Sequence, residues 1–507
     1  MKFWFIKYRL SLLIALLGIT IGSLTLFPRL EIDPDLDNYV PVEMDNRVNM
    51  NHMDSIFGGS EMILVMLKDE DVVKRSTLKR LKNLSEELGN LEGIDRSVSP
   101  FDAQTISTED GFIIMEPFME NIPGDQAGYN ELKSEILGNR MASRFFSTDD
   151  FELVSLMLMK DSDYSDDLLI TAIDSVLLEH PGTEEVLLGG LPYVRYSITG
   201  NIKKDLKVLL PVALLLMIFM LFASFREWKG VFMPFSVVIM SMILSFGVMA
   251  LLGWNISLIT VLMPIMLIAI ANDYGIHMIA RYQELAQSEN PPSMLEICRQ
   301  IYTDLKRPII IAGLTTIGGI LGLLTHTMIP AAQIGVLTAI GIGFSLILSI
   351  WFLPAMLSYF QPVGKVRVKK IRRVMSADKW LRKISHMVTN HPKQVIITSV
   401  LVGVLGITGI FFIKVDTNIE GYFLGNSKVS RSIKLINEKL GGSQFISILF
   451  SGEVLSPEIL QRMEYYEKVL SEDPAVGTVS SPVTLVKELS KGFYNVDEEG
   501  YNQIPST

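Results

Sequence analysis

The apolar residues of this chain collect in seven blocks, each close to the roughly 20 residues that a helix needs to cross a bilayer. The hydrocarbon layer offers no water to the backbone, so such blocks are expected to be helical. The pattern therefore predicts a membrane-embedded, all-α bundle of about seven crossings. The blocks cover residues 10–27, 206–225, 231–252, 257–280, 308–325, 331–358 and 394–413.

Between the first and second blocks, the pattern changes to alternating strands and helices. Their order contains two β-α-β units, which predicts an α+β domain of the split βαβ, ferredoxin-like kind. The segment 189–192 (GGLP) marks a turn before the second crossing. A rigid link there would couple movement in the membrane to this domain, and the alternative is an ordinary turn. The predicted strands are 61–67, 94–99, 112–119, 151–159 and 185–188, and the predicted helices are 73–91, 128–139 and 165–180.

The distribution of charge predicts the orientation in the membrane. Lys2, Lys7 and Arg9 precede the first block, and the segment 361–393 is rich in Lys and Arg with Asp378 as its one acid. The positive-inside rule places both segments in the cytoplasm. The acidic segment 28–205 then lies outside, which is compatible with export because long loops cross largely regardless of charge.

The chain also resembles itself at a constant offset. Residues 30–39 (LEIDPDLDNY) align with 413–422 (IKVDTNIEGY), and 57–60 (FGGS) align without a gap with 440–443 (LGGS). We therefore expect one complete unit followed by the start of a second, in a fragment or one piece of a protein with two such units. Parallel repeats are a known transporter architecture, with the working site between the halves.

These patterns divide the chain into six parts. They are a first crossing (1–27), an outside porter domain (28–205), a five-helix membrane module (206–360), a basic cytoplasmic linker (361–393), a seventh crossing (394–413) and the start of a second porter domain (414–507).

Polar residues inside the fourth block are the candidate functional residues. Asp273 lies within an apolar helix, where a charge costs on the order of 3 kcal/mol, and such residues are expected to face the bundle interior. His277 shares its helix face, and Arg281 should extend to the cytoplasmic interface. Asp273, Tyr274 and His277 can together form a proton relay, because a carboxyl kept from water and an imidazole both titrate near neutral pH. The alternative is that Asp273, His277 and Asn272 only hydrogen-bond neighbouring helices.

The fifth block supplies small and hydroxylated residues, among them Thr315 and Thr316. Packing between helices is the simpler interpretation of these residues, although Thr316 could hydrogen-bond Asp273. The segment 294–305 predicts a short amphipathic helix on the cytoplasmic surface.

The sequence contains no signal for an enzyme. There is no phosphate-binding G-x-x-x-x-G-K-[ST] loop and no metal-ligand spacing among the six histidines. The lone Cys298 excludes internal disulfides. We therefore expect no catalytic residues, no metal, no cofactor and no nucleic-acid partner.

The motifs of the fourth block resemble those of the resistance–nodulation–division superfamily, in particular its MMPL and hopanoid-exporter branch. The segment 272–277 (NDYGIH), followed by 281–284 (RYQE), is similar to the branch signature G-x-D-Y/F-G-I-H…R-Y-x-E, with Ala271 at the usual glycine. The second to sixth crossings also resemble the sterol-sensing domain. The resemblance implies proton antiport through Asp273 with Tyr274, and a porter domain that passes lipidic substrate outward. In the superfamily a partner site lies on a tenth helix, which this chain does not include.

The resulting hypothesis is an exporter of lipids or hydrophobic or amphiphilic molecules, driven by the proton-motive force across the cytoplasmic (inner) membrane. Its expected partners are that substrate, membrane lipids and the missing second half of the transporter. The alternatives are a membrane lipid sensor or regulator that does not transport, and an auxiliary of protein export. The sequence predicts no oligomeric state.

Overall fold

The computed structural model describes residues 3–57, 61–109, 112–119, 121–139, 142–147, 149–288, 290–360, 376–413, 421, 423, 425–443, 446–494 and 500–505. It divides into two compact units. The helical unit contains Met1–Met44 and Ile198–Val415, and the α+β unit contains Asp45–Ser197 and Asp416–Thr507.

The described residues form helices throughout the chain and strands in the α+β unit. The helices are α1 (Trp4–Lys7), α2 (Arg9–Leu24), α3 (Asp45–Phe57), α4 (Arg75–Gly89), α5 (Gln126–Gly138), α6 (Asp166–Glu179), α7 (Leu191–Phe225), α8 (Trp228–Leu251), α9 (Met263–Ala286), α10 (Met294–Leu321), α11 (Ile329–Ile347), α12 (Leu353–Leu357), α13 (Ser376–Asn390), α14 (Pro392–Ile410), α15 (Lys428–Lys439), α16 (Pro457–Ser471) and α17 (Pro482–Phe493). The strands are β1 (Met62–Lys68), β2 (Ile94–Val98), β3 (Gln104–Glu109), β4 (Phe112–Pro117), β5 (Leu153–Lys160) and β6 (Glu185–Gly189).

Within the described residues, seven helical segments are long and apolar enough to cross a membrane, and each matches one predicted block. The predicted membrane fold is therefore confirmed. The segments are Arg9–Arg29, Leu191–Phe225, Trp228–Leu251, Thr260–Ala286, Met294–Thr325, Ile329–Leu357 and Pro392–Ile410.

The core of the helical unit lies where α8, α9 and α11 pack against one another. A glycine explains how closely α8 and α9 approach: a Cβ at Gly275 would lie 2.8 Å from the Cβ of Pro234 and 3.0 Å from its Cα. Helix α10 packs against α9 and α11, and α2 packs against α8. The central helices α8 and α11 are accordingly much more buried than α2.

The prediction of a separate surface helix at 294–305 is wrong. These residues form the first three turns of α10, which continues through Pro308 into the membrane segment. The side chain of Ser293 caps the helix by accepting a hydrogen bond from the backbone N–H of Glu296. Ile297, Cys298 and Ile301 are fully buried, so one side of this part of the helix packs within the protein.

The α+β unit contains a four-stranded antiparallel sheet in the order β2-β5-β1-β6. Helix α4 connects β1 to β2 and α6 connects β5 to β6, which is the predicted split βαβ arrangement. The central strand β1 (MILVMLK) is buried over most of its length. Strand β3 was not predicted from its polar sequence QTISTE, and it pairs with β4 in a separate hairpin.

A helix from the second repeat packs on this sheet. Leu435 and Ile436 of α15 belong to one apolar cluster with Leu64, Met66, Leu153 and Leu187. Arg431 also donates to Glu185 at 2.7 Å, and Lys439 pairs with Asp150. The repeat residues 58–60, 414–420 and 422 lie outside the described residues, so the structure describes the aligned repeat only in part.

The turn before the second crossing is tight. Gly190 has φ +99°, a conformation that favours glycine, and a Cβ there would lie 2.0 Å from the carbonyl oxygen of Met62. Helix α7 begins at the next residue and runs unbroken for 35 residues. Its first turns are fastened by Arg195, which pairs with Glu61 and, through Nε at 2.7 Å, with Asp166.

Candidate functional site

The ionisable pair predicted in the fourth crossing lies on α9. The Nε2 atom of His277 is 3.5 Å from Oδ1 of Asp273, one helical turn away. At this distance the two groups are at the limit of direct hydrogen bonding. The structure therefore brings together the carboxyl and the imidazole that the sequence pointed to.

The pair faces away from the described helices rather than into their core. The side chains of Asp273 and His277 are 63% and 62% exposed. Apolar residues on the other side of α9, such as Leu267, Met278 and Ile279, are buried. Because those residues pack in the core, the polar side of the helix is left outward, which differs from the inward orientation expected from the sequence.

Helix α10 lies beside this polar face and presents small residues. A Cβ added at Gly318 or Gly319 of α10, or at Gly322 just after it, would meet no atom within 4 Å. The hydroxyls of Thr315 and Thr316 both donate to the carbonyl oxygen of Ala312, at 2.8 and 2.9 Å. The hydrogen bond considered between Thr316 and Asp273 is therefore not formed, because the threonine proton is used within its own helix.

An ion-pair cluster joins α9 to α10 one turn after His277. Arg281 donates through Nε and Nη2 to Asp304 of α10, at 3.0 and 2.7 Å, and through Nη1 to Glu284 at 2.6 Å. Eight residues of helix correspond to about 12 Å, so Asp273 lies about that far along α9 from the cluster. Asp273, His277 and Arg281 thus form one line of polar side chains.

The buried side of the same helix carries polar atoms with few partners. The Oδ1 of Asn272 and the hydroxyl of Tyr274 are buried, and neither has a well-formed hydrogen bond within the described structure. Thr316 lies close enough to Tyr274 to interact with its hydroxyl. The hydroxyl of Ser349 is in the same situation, in a π-helical turn (Leu348–Phe352) after α11. Such turns interrupt a regular helix and are frequent at functional sites.

Chemically, this arrangement can bind and pass a proton, since a carboxylate and an imidazole one turn apart both accept one. Across the part of the chain that the structure describes, no group of three or more His, Cys, Asp or Glu side chains could hold a metal ion.

Two components of the site were missed from the sequence. Asp304 is one acid among several charged residues at the start of α10, and only the structure shows it bonded to Arg281. The π-helical turn has no sequence signal, because Leu348–Phe352 reads as ordinary membrane helix.

Comparison with known proteins agrees with the resemblance of the fourth-block motifs. A sequence model of the MMPL family matches residues 40–395. A protein of Methanocaldococcus jannaschii with the name "Putative membrane protein MJ1562" is 23% identical over 315 residues, which cover 59% of this chain and 78% of that protein. MMPL family members are transporters rather than enzymes, and they generally move lipids or hydrophobic substances.

Proposed function

Because this chain belongs to the MMPL family of membrane transporters, we propose that it exports lipids or other hydrophobic or amphiphilic molecules, driven by the proton-motive force. That family is the branch that the motif around Asp273 indicates. In this proposal Asp273 takes up and releases the coupling proton, and His277 is its exchange partner.

The observation that carries the proposal is the Asp273–His277 pair inside a helix that is otherwise built to cross a membrane. Ionisable side chains at such depth are costly and are typical of ion pathways and proton relays. Their cost is acceptable where a change of charge is part of the function.

The geometry supports a simple sequence of proton movements. A proton on Asp273 removes its negative charge, and transfer from His277 across 3.5 Å needs only a small side-chain movement. Arg281 fixes a positive charge farther along the same face, balanced by Asp304 and Glu284. These carboxylates compensate the guanidinium where the line of polar side chains reaches the end of the helix.

The outward orientation of the pair supports a second part of the proposal, that further membrane helices cover this face. A carboxyl and an imidazole in direct contact with acyl chains would be unstable. The open glycines of α10 would let another helix approach closely. A second set of helices, as in two-repeat transporters, would enclose the pair and create the low-polarity site that proton coupling requires.

The α+β unit offers a place for apolar cargo. A cavity of about 840 Å³ is lined by Met53 together with residues of 437–482, among them Leu449, Phe450 and Met463. Its size is within the range of small-molecule sites. We propose that hydrophobic substrate contacts this cavity after it leaves the membrane.

The test is replacement of Asp273 by Asn, which keeps the shape of the side chain but cannot exchange the proton. The chain is reconstituted, together with the helices proposed to cover its polar face, in proteoliposomes with a pH gradient, and movement of a fluorescent phosphatidylethanolamine between leaflets is followed. We expect the gradient-dependent movement to fall to the level of empty liposomes, while detergent-solubilised protein keeps its elution volume.

Glu296→Gln is the matched control, because it makes the same chemical change at an exposed carboxylate near the start of α10. It should leave lipid movement unchanged. Asp273→Asn protein that still moves the probe at the native rate would contradict proton coupling at this residue. Gradient-independent lipid binding without movement would favour a sensor instead.

A further inference from the structure

The cavity of the α+β unit has a single charged side chain, Glu467, among the described residues of its wall. We propose that this cavity selects amphiphiles with a positively charged ammonium headgroup, which Glu467 and two neighbouring aromatic rings bind while apolar side chains contact the tail. The inference rests on the proposed function only for the arrival of substrate at this cavity. It does not depend on proton coupling at Asp273.

One face of α16 forms the charged side of the cavity. Met463, Tyr466, Glu467 and Leu470 all line it. Their spacing of three and four residues places them on the same side of the helix. The helix therefore presents a carboxylate between an aromatic ring and apolar side chains.

The carboxylate of Glu467 is oriented by two hydroxyls. Ser481 donates to its Oε2 at 3.2 Å and Thr484 donates to its Oε1 at 3.1 Å. Hydroxyl donors fix the position of the two oxygens but bring no positive charge, and an ionised carboxylate has room for further donors. Glu467 forms no ion pair with any Lys, Arg or His that the structure describes.

The basic residues close to the cavity are engaged elsewhere. Lys487 pairs with Glu464, and Arg144 donates to the hydroxyl of Ser480 at 2.9 Å. Neither Lys487 nor Arg144 belongs to the wall. A carboxylate in an apolar recess attracts a cation more strongly than it would in bulk water, because the effective dielectric constant is lower there. The wall therefore favours a cationic ligand over an anionic one.

Two aromatic rings add a second element of ammonium recognition. Phe450 and Tyr466 both line the cavity, with ring centroids 5.9 Å apart and planes tilted by 60°. The face of an aromatic ring attracts a cation, and quaternary ammonium groups are recognised in this way. Tyr466 directly precedes Glu467 on α16, so the rings and the carboxylate occur in one part of the wall.

The rest of the wall suits an apolar tail. Ile446, Ile448, Leu449 and Val454 line the cavity, and Ile446 remains 85% exposed. Covering such surface with a hydrocarbon chain is favourable because it removes the surface from water. The volume of about 840 Å³ is within the range of small-molecule sites. A ligand with a cationic head and an apolar tail therefore matches both parts of the wall.

The experiment measures protection of a cysteine placed in the cavity. Ala475→Cys changes an exposed residue of the wall, and its rate of labelling by a neutral maleimide is followed in the full chain in dodecyl maltoside. The unmodified chain measures labelling of the buried Cys298. Leu178→Cys, at an 81% exposed position of α6, reports effects that are unrelated to the cavity.

Three amphiphiles with the same tail are compared at equal concentrations below their critical micelle concentrations. They are octyltrimethylammonium, octyl sulfate and octyl glucoside. We expect octyltrimethylammonium to slow labelling at position 475 at lower concentration than the other two and to leave position 178 unaffected. No pH gradient is present, so loss of transport in the Asp273→Asn variant should not change this protection.

The Glu467→Gln substitution in the Ala475→Cys chain should raise the concentration of octyltrimethylammonium needed for half protection by at least about fivefold. Glu472→Gln makes the same chemical change at an exposed residue just after α16 and should have no effect. Phe450→Leu keeps an apolar side chain and should weaken protection by octyltrimethylammonium about threefold. Protection by octyl glucoside should be the same in all these variants.

Four results would overturn the inference. Equal protection by all three amphiphiles would remove the headgroup selectivity and leave the apolar cavity of the proposed function intact. Absence of protection by any of them would contradict both. Loss of protection by octyl glucoside in Glu467→Gln would show that Glu467 shapes the cavity rather than binding the headgroup. Equal slowing at positions 178 and 475 would identify a general effect of the amphiphile on labelling.

Discussion

Asp150 and Lys439 lie far apart in the sequence but form one ion pair between the sheet of the α+β unit and helix α15. The hydrogen bond from Lys439, together with one from Ser147, lowers the pKa of Asp150 to about 2. The same pair raises the pKa of Lys439 above its ordinary value. The attachment of α15 therefore depends on pH at both ends of the scale.

The sign of that dependence follows from the two pKa shifts. A carboxyl whose pKa is lowered by folding contributes stability that is complete above its unfolded value of about 4 and is lost as the pH falls towards 2. A lysine whose pKa is raised contributes stability that is present below about 10.5 and is lost as the pH rises through the higher, folded value.

We accordingly predict that Asp150→Asn lowers the melting temperature at pH 7, and that its difference from the native protein shrinks as the pH falls below about 4. Thermal unfolding of solubilised protein at pH 7, 5 and 3 measures this. Asp149→Asn, at the exposed neighbouring residue, should have little effect. A difference that stays constant from pH 7 to pH 3 would show that the pair does not contribute.

At the residue scale, a functional charge can be recognised from the sequence only where it interrupts a local pattern. Asp273 and His277 stand out because an apolar run surrounds them. Arg281 and Asp304, or Asp150 and Lys439, carry no such signal, because each is an ordinary surface charge until the fold brings it to its partner. The outward orientation of Asp273 has no sequence signal either, because it depends on which side of α9 packs in the core.

Among the elements, the connection from β6 to α7 depends on one glycine. Replacing Gly190 by Ala requires a left-handed conformation that costs about 1–2 kcal/mol and places a Cβ against the carbonyl oxygen of Met62. We predict that Gly190→Ala lowers the melting temperature and the yield of folded protein, as measured by thermal unfolding and size-exclusion chromatography.

Gly200→Ala is the control for that substitution. Gly200 lies in α7 itself, where an added Cβ meets no atom within 4 Å, and alanine favours a helix over glycine by up to about 1 kcal/mol. This variant should be as stable as the native protein or more so. Equal stability of the two variants would contradict the role assigned to Gly190.

Element prediction succeeded where hydrophobic periodicity is strong. The seven crossings and the strands β1, β2, β4, β5 and β6 were all placed near their observed positions. It failed for β3, whose polar residues lack the alternation of a half-buried strand. It also divided α10 in two, because Pro308 and a change in polarity resemble a helix boundary.

For the whole molecule, α15 makes the α+β unit from two distant parts of the chain. We predict that a chain cut between Phe360 and Gln361, with both pieces expressed together, yields fragments that purify as one complex. The apolar contact of Leu435 and Ile436 with the sheet supplies the attachment, so tagged residues 1–360 should retain residues 361–507 through detergent washes.

Leu435→Asp/Ile436→Asp should abolish this retention, because it places charges in the apolar cluster. Leu455→Asp/Val469→Asp makes the same change at exposed positions and should leave it intact. Retention that survives the α15 substitutions would show that the two pieces are held elsewhere.

The repeat predicts two similar units, but not that a helix of the second packs on the sheet of the first. Helix α15 aligns with α3 at the repeat offset, so the two helices hold equivalent positions in the repeated sequence. Periodicity shows that α15 has one apolar face, but it does not say which sheet will cover that face. Only tertiary packing assigns it to the sheet of the first repeat.

The unbroken course of α7 has a mechanical consequence. At 35 residues the helix is about 50 Å long, longer than the roughly 30 Å of hydrocarbon that it needs to cross. No loop interrupts the helix between its two ends. Arg195, near the first end, is held by its ion pair with Asp166. Pro211 lies inside this length, and a proline within a helix is the position at which a kink is expected.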